Sequence, residues 1–478
     1  MRADNRLFDA HLYSLNHYIL QNLTKRSRRA DLKLKRDPVI KSYHFPPQLI
    51  DQDALSIVKR LQSLGYLAYF VGGCVRDALL GAHPKDFDIV TSALPREIRA
   101  IFRNAQLIGR RFKLAHLRFA GDKILEVATF RQPPSTDSIQ DGVIVEDNEY
   151  GTPETDAYRR DFTINALFYD PIKRELIDYT GGLVDIDDRV LRSIGDPLVR
   201  FREDPIRMLR AIKFAARLGL SFDSAVGQAL KSERVSLAEA AKPRLQQELV
   251  RYLQGGASMR SFELLHEHNL LRLLCPELHS WLRLSPNHLV EFYSLLESHD
   301  AYTVELWPRG QKEERILSLI FWPWLWSLIS GQLEMRVKPY TELMVTSVKQ
   351  RDLKLAIVRL LAPSATRIGM SIKTLHAVSR IICVLILHNW TYLGVLEKGK
   401  SSKIKGDVSF ESLLVLQALH RAERVTDEVW TSVEPLWRIC SEERSSYSET
   451  REPSRRQLIP KKPVIKPTKK RPRHIKRT

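Results

Sequence analysis

Two carboxylates, Asp86 and Asp88, stand one residue apart in the stretch "VGGCVRDALLGAHPKDFDIV". On an extended strand, side chains alternate, so both acids share one face and Phe87 points the other way. Like charges that close repel, and the pair is cheap only in water or around a cation. A hard divalent ion such as Mg2+ takes oxygen ligands, commonly a few carboxylates completed by substrate phosphates. A D-x-D pair alone is also what a solvated loop presents. The preceding Gly72-Gly73 narrows the choice. A glycine pair between a strand and a helix lets the backbone approach a phosphate, and the helix start turns N–H groups toward it. Arg76 follows in the first turn of that helix, within reach of a triphosphate. Glu126, in "ILEVATF", is a lone acid among apolar strand residues. It is either a further ligand of a two-ion site or an edge-strand charge facing water.

The elements that would position these residues are legible nearby. "DALSIVKRLQSLG" (53–65) has helical spacing and ends at a glycine, and "LAYFV" (67–71) is a short apolar strand. "CVRDALLG" reads as a helix, "DFDIVTS" (86–92) as a strand, and Pro95 opens the next helix. "FKLAHLRFAGDKILEVATF" (112–130) reads as two strands around a tight turn, and residues 131–150 as a polar loop. This mixture predicts an α+β domain to about residue 190. Helical patterns then dominate to about residue 440, with "CPELHSWLRLSPNH" and "KGKSSKIKGD" as connections. The greasiest stretch, Ile316 to Ile329, contains Pro323. It is shorter than the roughly 20 residues a membrane helix needs, and reads as a buried helix pair.

Charge is unevenly spread over the 478 residues, whose net charge is +19. Residues 451–478 hold twelve Lys/Arg, one Glu and five prolines, and residues 25–36 hold seven Lys/Arg and one Asp. The remainder is nearly neutral. Basic tails of this kind suit counterion-release binding to a polyanion such as RNA, besides aiding solubility. Cys74, Cys275, Cys383 and Cys440 are scattered without a CxxC pair. That spacing argues against a zinc site or a disulfide scaffold and suits a reducing cytoplasm. The first residues show no signal-peptide pattern.

"GGCVRDALLG…KDFDI", "RRDFTINAL" (159–167) and "REDPIRMLRAIKFAARLG" (202–219) together resemble the class II nucleotidyltransferases. That family comprises bacterial poly(A) polymerases and CCA-adding enzymes. The resemblance runs from about residue 45 to 285. It implies a polymerase-β-like nucleotidyltransferase palm followed by all-α neck, body and tail domains. The expected boundaries are a basic extension at 1–44, a palm at 45–190, a neck at 191–285, a body and tail at 286–440 and a basic tail at 441–478. It also implies Mg2+-dependent transfer of a nucleoside monophosphate to an RNA 3′-hydroxyl, without a template. By position, Asp86 and Asp88 match the metal-binding pair, and Gly73 and Arg76 match triphosphate contacts beside Gly72. Asp161 matches an acid of the active site, and Arg160 a nucleotide contact. Asp161 also stands where Asp often caps a helix. The further metal ligand is therefore Glu126 or Asp161.

Pro205 suits a first helical turn, which puts Asp204, Arg207 and Arg210 on one face at intervals of three. A carboxylate beside a guanidinium offers an acceptor and several donors in fixed geometry, enough to read a base edge. The resemblance assigns that task to Asp204 and Arg207, and a further nucleotide contact to Arg210. Lys213 stands where some CCA-adding enzymes carry arginine. The basic stretch "LIGRRFKLAHLRF" (107–119), the basic tail and the long ends favour a poly(A) polymerase using ATP and the 3′ ends of messenger and other RNAs. CCA addition to tRNA is the alternative. His299-Asp300 reads as a capping pair at a helix end rather than a phosphohydrolase metal site.

Overall fold

The computed structural model describes residues 37–109, 114–132, 139–140, 143–144, 149–306, 313–337 and 350–392. The basic segments 25–36 and 451–478, the connection at 398–407 and Cys440 lie outside the described residues.

Ten strands belong to the N-terminal part: β1 Val39–Ser42, β2 Ala68–Val71, β3 Asp88–Thr91, β4 Ala105–Ile108, β5 Leu114–Arg118, β6 Ile124–Thr129, β7 Ile139–Gln140, β8 Val143–Ile144, β9 Leu167–Asp170 and β10 Glu175–Asp178. Eight of them form one sheet in the order β1-β10-β9-β2-β3-β6-β5-β4. All its pairings are antiparallel except β3 with β6, which run parallel and set Asp88 against Glu126. β7 and β8 make a separate two-stranded ribbon inside the stretch that reads as a loop. β1 lies inside the expected N-terminal extension, where it pairs with β10 and closes one edge of the sheet.

The central strands are buried on both faces. Ala68, Phe70 and Ile89 enter the main core, while Tyr69, Val71 and Val90 enter a smaller one with Phe130 and Phe168. Alternation along β2 and β3 thus feeds two apolar layers. Helix Gln52–Ser63 covers the main-core face through Ala54, Ile57, Val58 and Leu61. Its start is capped by Asp51, which accepts from the amides of Asp53 and Ala54 at 3.0 Å each. Burying four such side chains contributes roughly 1.5–3 kcal/mol for each large one.

After a short helix at Pro197–Glu203, the helix Ile206–Leu218 presents Met208, Leu209, Ala211, Ile212 and Ala215 to the core and ends at Gly219 in the left-handed region. Lys242–Gln254 packs beside it, with the Tyr252 hydroxyl donating to the Leu209 carbonyl at 2.8 Å. Three expectations fail in this helical part. The stretch "CPELHSWLRL" is a helix, Pro276–Leu284, not a connection. Residues 313–337 form one helix that runs through Pro323, not a pair. The burial of Trp322, Trp324 and Leu325 around the proline outweighs the lost hydrogen bond, which costs about 3 kcal/mol. His299-Asp300 sits inside helix Pro286–Leu306 rather than at its end. His299 bonds the Leu253 carbonyl, and Asp300 accepts from the amides of Ser258 and Met259, capping the start of a neighbouring helix. Among the described residues, no helix is long and apolar enough to cross a membrane.

Candidate active site

A cavity of about 420 Å³ opens where β2 ends and the helix Gly73–Leu79 begins. Its walls are Gly72, Gly73, Arg76, Asp88, Arg131, Asp156, Arg159, Arg160, Asp161, Asn165, Arg210 and Phe214. Five arginines against three aspartates give this concave surface a net positive charge, suited to a polyanionic ligand.

Gly72 turns with φ +73°, and a Cβ there would lie 3.3 Å from an Arg160 guanidinium nitrogen. A side chain at this position is therefore strained by the backbone and crowded by the cavity wall. Beyond the turn, Phe87 is buried against Phe70 at a ring distance of 5.1 Å. It anchors the D-x-D segment while its neighbours stay accessible. Asp86 lies just before β3, not within it; the strand begins at Asp88. Asp88 is exposed to the cavity, with protein packed around its carboxyl. Burial pushes its pKa up to about 6, the charges of Glu126 and Asp86 add to the rise, and Arg160 opposes it. Three acids thus crowd one edge of the cleft, although Glu126 and Asp86 are not part of the cavity wall. Among the described residues, no group of three His, Cys, Asp or Glu side chains is already drawn together around one point. The donor set is all carboxylate oxygen, and the repulsion felt by Asp88 is what a divalent cation would relieve. These residues fit a hard cation completed by phosphate and water oxygens.

Around Asp161 the cavity wall is built from side chains bonded to one another. Asp161 accepts from Arg210 Nε at 2.6 Å, Asn165 Nδ2 at 3.1 Å and the Phe162 amide at 2.9 Å. Burial alone would raise its pKa; the Arg210 charge and these donors override that and lower it to about 2. Asp161 does not cap a helix in the ordinary sense, since the following short turn starts from Phe162. Asn165 Oδ1 accepts in turn from Arg76 Nη1. Arg76 is buried and also grips Asp77, its sequence neighbour, at 2.6 Å. The chain Asp77–Arg76–Asn165–Asp161–Arg210 therefore runs unbroken along the wall. Phe214 lies under it, with the Arg76 and Arg210 guanidinium carbons 5.0 and 5.3 Å from its ring centre. Arg160 is held by Asp156 at 2.8 Å. Cys74 is buried beneath the turn, and burial pushes its thiol up to about 12, so it packs rather than reacts.

Gly72, Gly73, Arg76, Asp88, Arg160, Asp161 and Arg210 thus meet in one cavity, while Asp204 and Arg207 do not line it. The expected face of Asp204, Arg207 and Arg210 is not formed either. The helix begins at Ile206, and Asp204 is an extended residue between two helices. Its carboxylate is clasped by Arg244 at 2.8 and 2.9 Å, while Arg207 bonds Glu203 and the Arg200 carbonyl. Sequence reasoning did not pick out Arg131, Asp156, Arg159, Asn165, Phe214 or Arg244. Asp156 and Arg160 carried a signal, their i,i+4 spacing. Arg244 carried none.

Residues 68–192 match the poly A polymerase head domain, and residues 219–282 match a probable RNA and SrmB-binding site of polymerase A. Over these residues the chain is similar to poly(A) polymerases and tRNA nucleotidyltransferases. Poly(A) polymerase I of Escherichia coli O6:H1 is 43% identical over 235 residues, covering 48% of this chain and 50% of its own. That of Haemophilus influenzae is 43% identical over 253 residues, 51% of this chain and 56% of its own. A CC-adding tRNA nucleotidyltransferase of Halalkalibacterium halodurans is 39% identical over 218 residues, 45% of this chain and 52% of its own. The chain spans about half the length of the curated relatives it matches. Among solved structures, an apo CCA-adding enzyme shares the fold with a TM-score of 0.52 at 20% identity, over 84% of this chain and 86% of its own.

Proposed function

We propose that this chain is a class II nucleotidyltransferase that transfers AMP from ATP to RNA 3′ ends without a template. The observation that carries the reading is an arginine-rich cavity at the glycine turn, with Asp88 in its wall and Glu126 and Asp86 near enough to raise the Asp88 pKa. The triphosphate lies in this cavity, its charge drawn by Arg160 and Arg210. Gly72 and Gly73 leave room for the phosphates to approach the backbone. Asp86, Asp88 and Glu126 would hold Mg2+, which when bound neutralises charge on the attacking and leaving oxygens. Asp161 acts in this account as a positioning residue for Arg210, because its lone pairs are already engaged. That choice leaves Glu126 as the further ligand. Catalysis is mainly orientation and charge stabilisation. Asp204 and Arg207 read the base after Arg244 shares or yields the Asp204 carboxylate. Residues 451–478 add sequence-independent attraction for RNA that weakens with salt.

Poly(A) polymerase I relatives at 43% identity support AMP addition over CCA addition, whose CCA-adding relatives stand at 38% and 34%. The deciding experiment supplies the full chain with ATP, or ATP plus CTP, on a generic single-stranded RNA and on a tRNA lacking its terminal CCA. Long A tracts on both RNAs support the proposal. Addition that stops after C-C-A, on the tRNA alone, replaces it with the second reading.

A further inference from the structure

We propose that His116 is a positioning residue that holds the Glu126 carboxylate at the cation-binding edge of the cleft. The inference rests on the proposed role of Asp86, Asp88 and Glu126 as cation ligands. Register carries it. Glu126 on β6 is paired across the parallel ladder with Asp88 and across the antiparallel ladder with His116. Residues paired in register project from the same face of a sheet, so the three side chains stand in one row. His116 Nε2 lies 3.3 Å from Glu126 Oε1. An ionised carboxylate only accepts, so Nε2 carries the hydrogen and donates it.

The surroundings explain why such a support is needed. The Glu126 side chain is 51% exposed and that of His116 is 20% exposed. A glutamate this open samples many rotamers, and ordering it costs free energy each time a cation binds. His116 is itself fixed, because its neighbours Ala115 and Leu117 are buried in the core and clamp the backbone of β5. It does not line the cavity, so it acts through Glu126. A donor behind a ligating side chain orients the ligand, and its loss typically weakens metal affinity about tenfold or more.

The test is an electron paramagnetic resonance titration of the full chain with Mn2+ in the presence of a non-hydrolysable ATP analogue. H116A is expected to weaken Mn2+ binding about tenfold, and H116Q, which keeps an N–H donor, to restore most of it. H116A combined with E126Q should bind no more weakly than E126Q alone. In incorporation assays, H116A should raise the metal concentration for half-maximal rate and leave the KM for RNA unchanged. Wild-type Mn2+ binding by H116A, or additive losses in the double variant, overturns the inference. D88A separates the two levels. If D88A loses Mn2+ while H116A does not, His116 alone is misassigned; if D88A binds like wild type, the cation reading beneath it fails.

Discussion

The two edges of the cavity use the same residue type in opposite ways. On one edge Asp88 sits beside two other acids, and its proton is held up to about pH 6. On the other, Asp161 sits among three donors, and its proton is released near pH 2. Asp161 is committed to the fold, whereas Asp88 carries a charge that the protein alone does not balance. An unbalanced charge in a cavity is maintained when a ligand completes it, which is why perturbed groups mark functional sites.

The sharpest way to break this contrast is to neutralise each acid in turn. D88N should lower incorporation by about a hundredfold or more while leaving thermal stability equal or higher, because repulsion is relieved. D161N should do the reverse in emphasis. Leaving Arg210 without its buried partner should cost about 3 kcal/mol in denaturant unfolding, with activity falling through the displaced arginine. If D88N destabilises the protein as much as D161N, the distinction between the edges is lost.

Dependence on pH sharpens the same comparison. Without divalent metal, Asp88 has a folded pKa near 6 against an ordinary value of 3.8. The folded state therefore binds the extra proton, and stability rises as pH falls from 7 toward 4. D88N should lack that rise. Asp161 runs the other way: its contribution is present above pH 3.8 and is lost as pH falls toward 2. Unfolding free energies measured across this range, with chelator present, check both signs. The smallest effect is expected at the exposed Arg244–Asp204 pair. R244A should change stability by under about 1 kcal/mol and shift the preference for ATP over CTP by a few fold. An unchanged preference removes Arg244 from nucleotide reading.

Much of one edge was legible in the sequence, because it is local. The glycine turn, Phe87 and the acid pair fall within a short run, and period-2 alternation correctly turned Phe87 into the core. The proximity of Glu126 to Asp88 was less legible, since it depends on β3 pairing with β6 rather than with its sequence neighbour β4. On the Asp161 side, Arg76, Arg160, Asp161 and Arg210 entered through the family resemblance, but the contacts that join them were not legible. Asn165 links Arg76 to Asp161, and Arg244 reaches Asp204 from a later helix, through contacts that no spacing rule encodes. The misplacement of Asp204 has a specific cause: Pro205 marks the break between two helices, and Asp204 falls on its far side. Pro323 misled in the opposite direction, because tertiary packing carried the helix through it.

The central claim is that the Asp88 edge and the arginine wall hold a nucleoside triphosphate between them through a divalent cation. A crystal structure of the full chain with Mg2+ and a non-hydrolysable ATP analogue tests it most directly. The account predicts a Mg2+ ion about 2.1 Å from an Asp88 oxygen, with phosphates reaching toward Arg160 and Arg210. A triphosphate bound in the cavity with Asp88 turned away and no ion beside it would contradict the account.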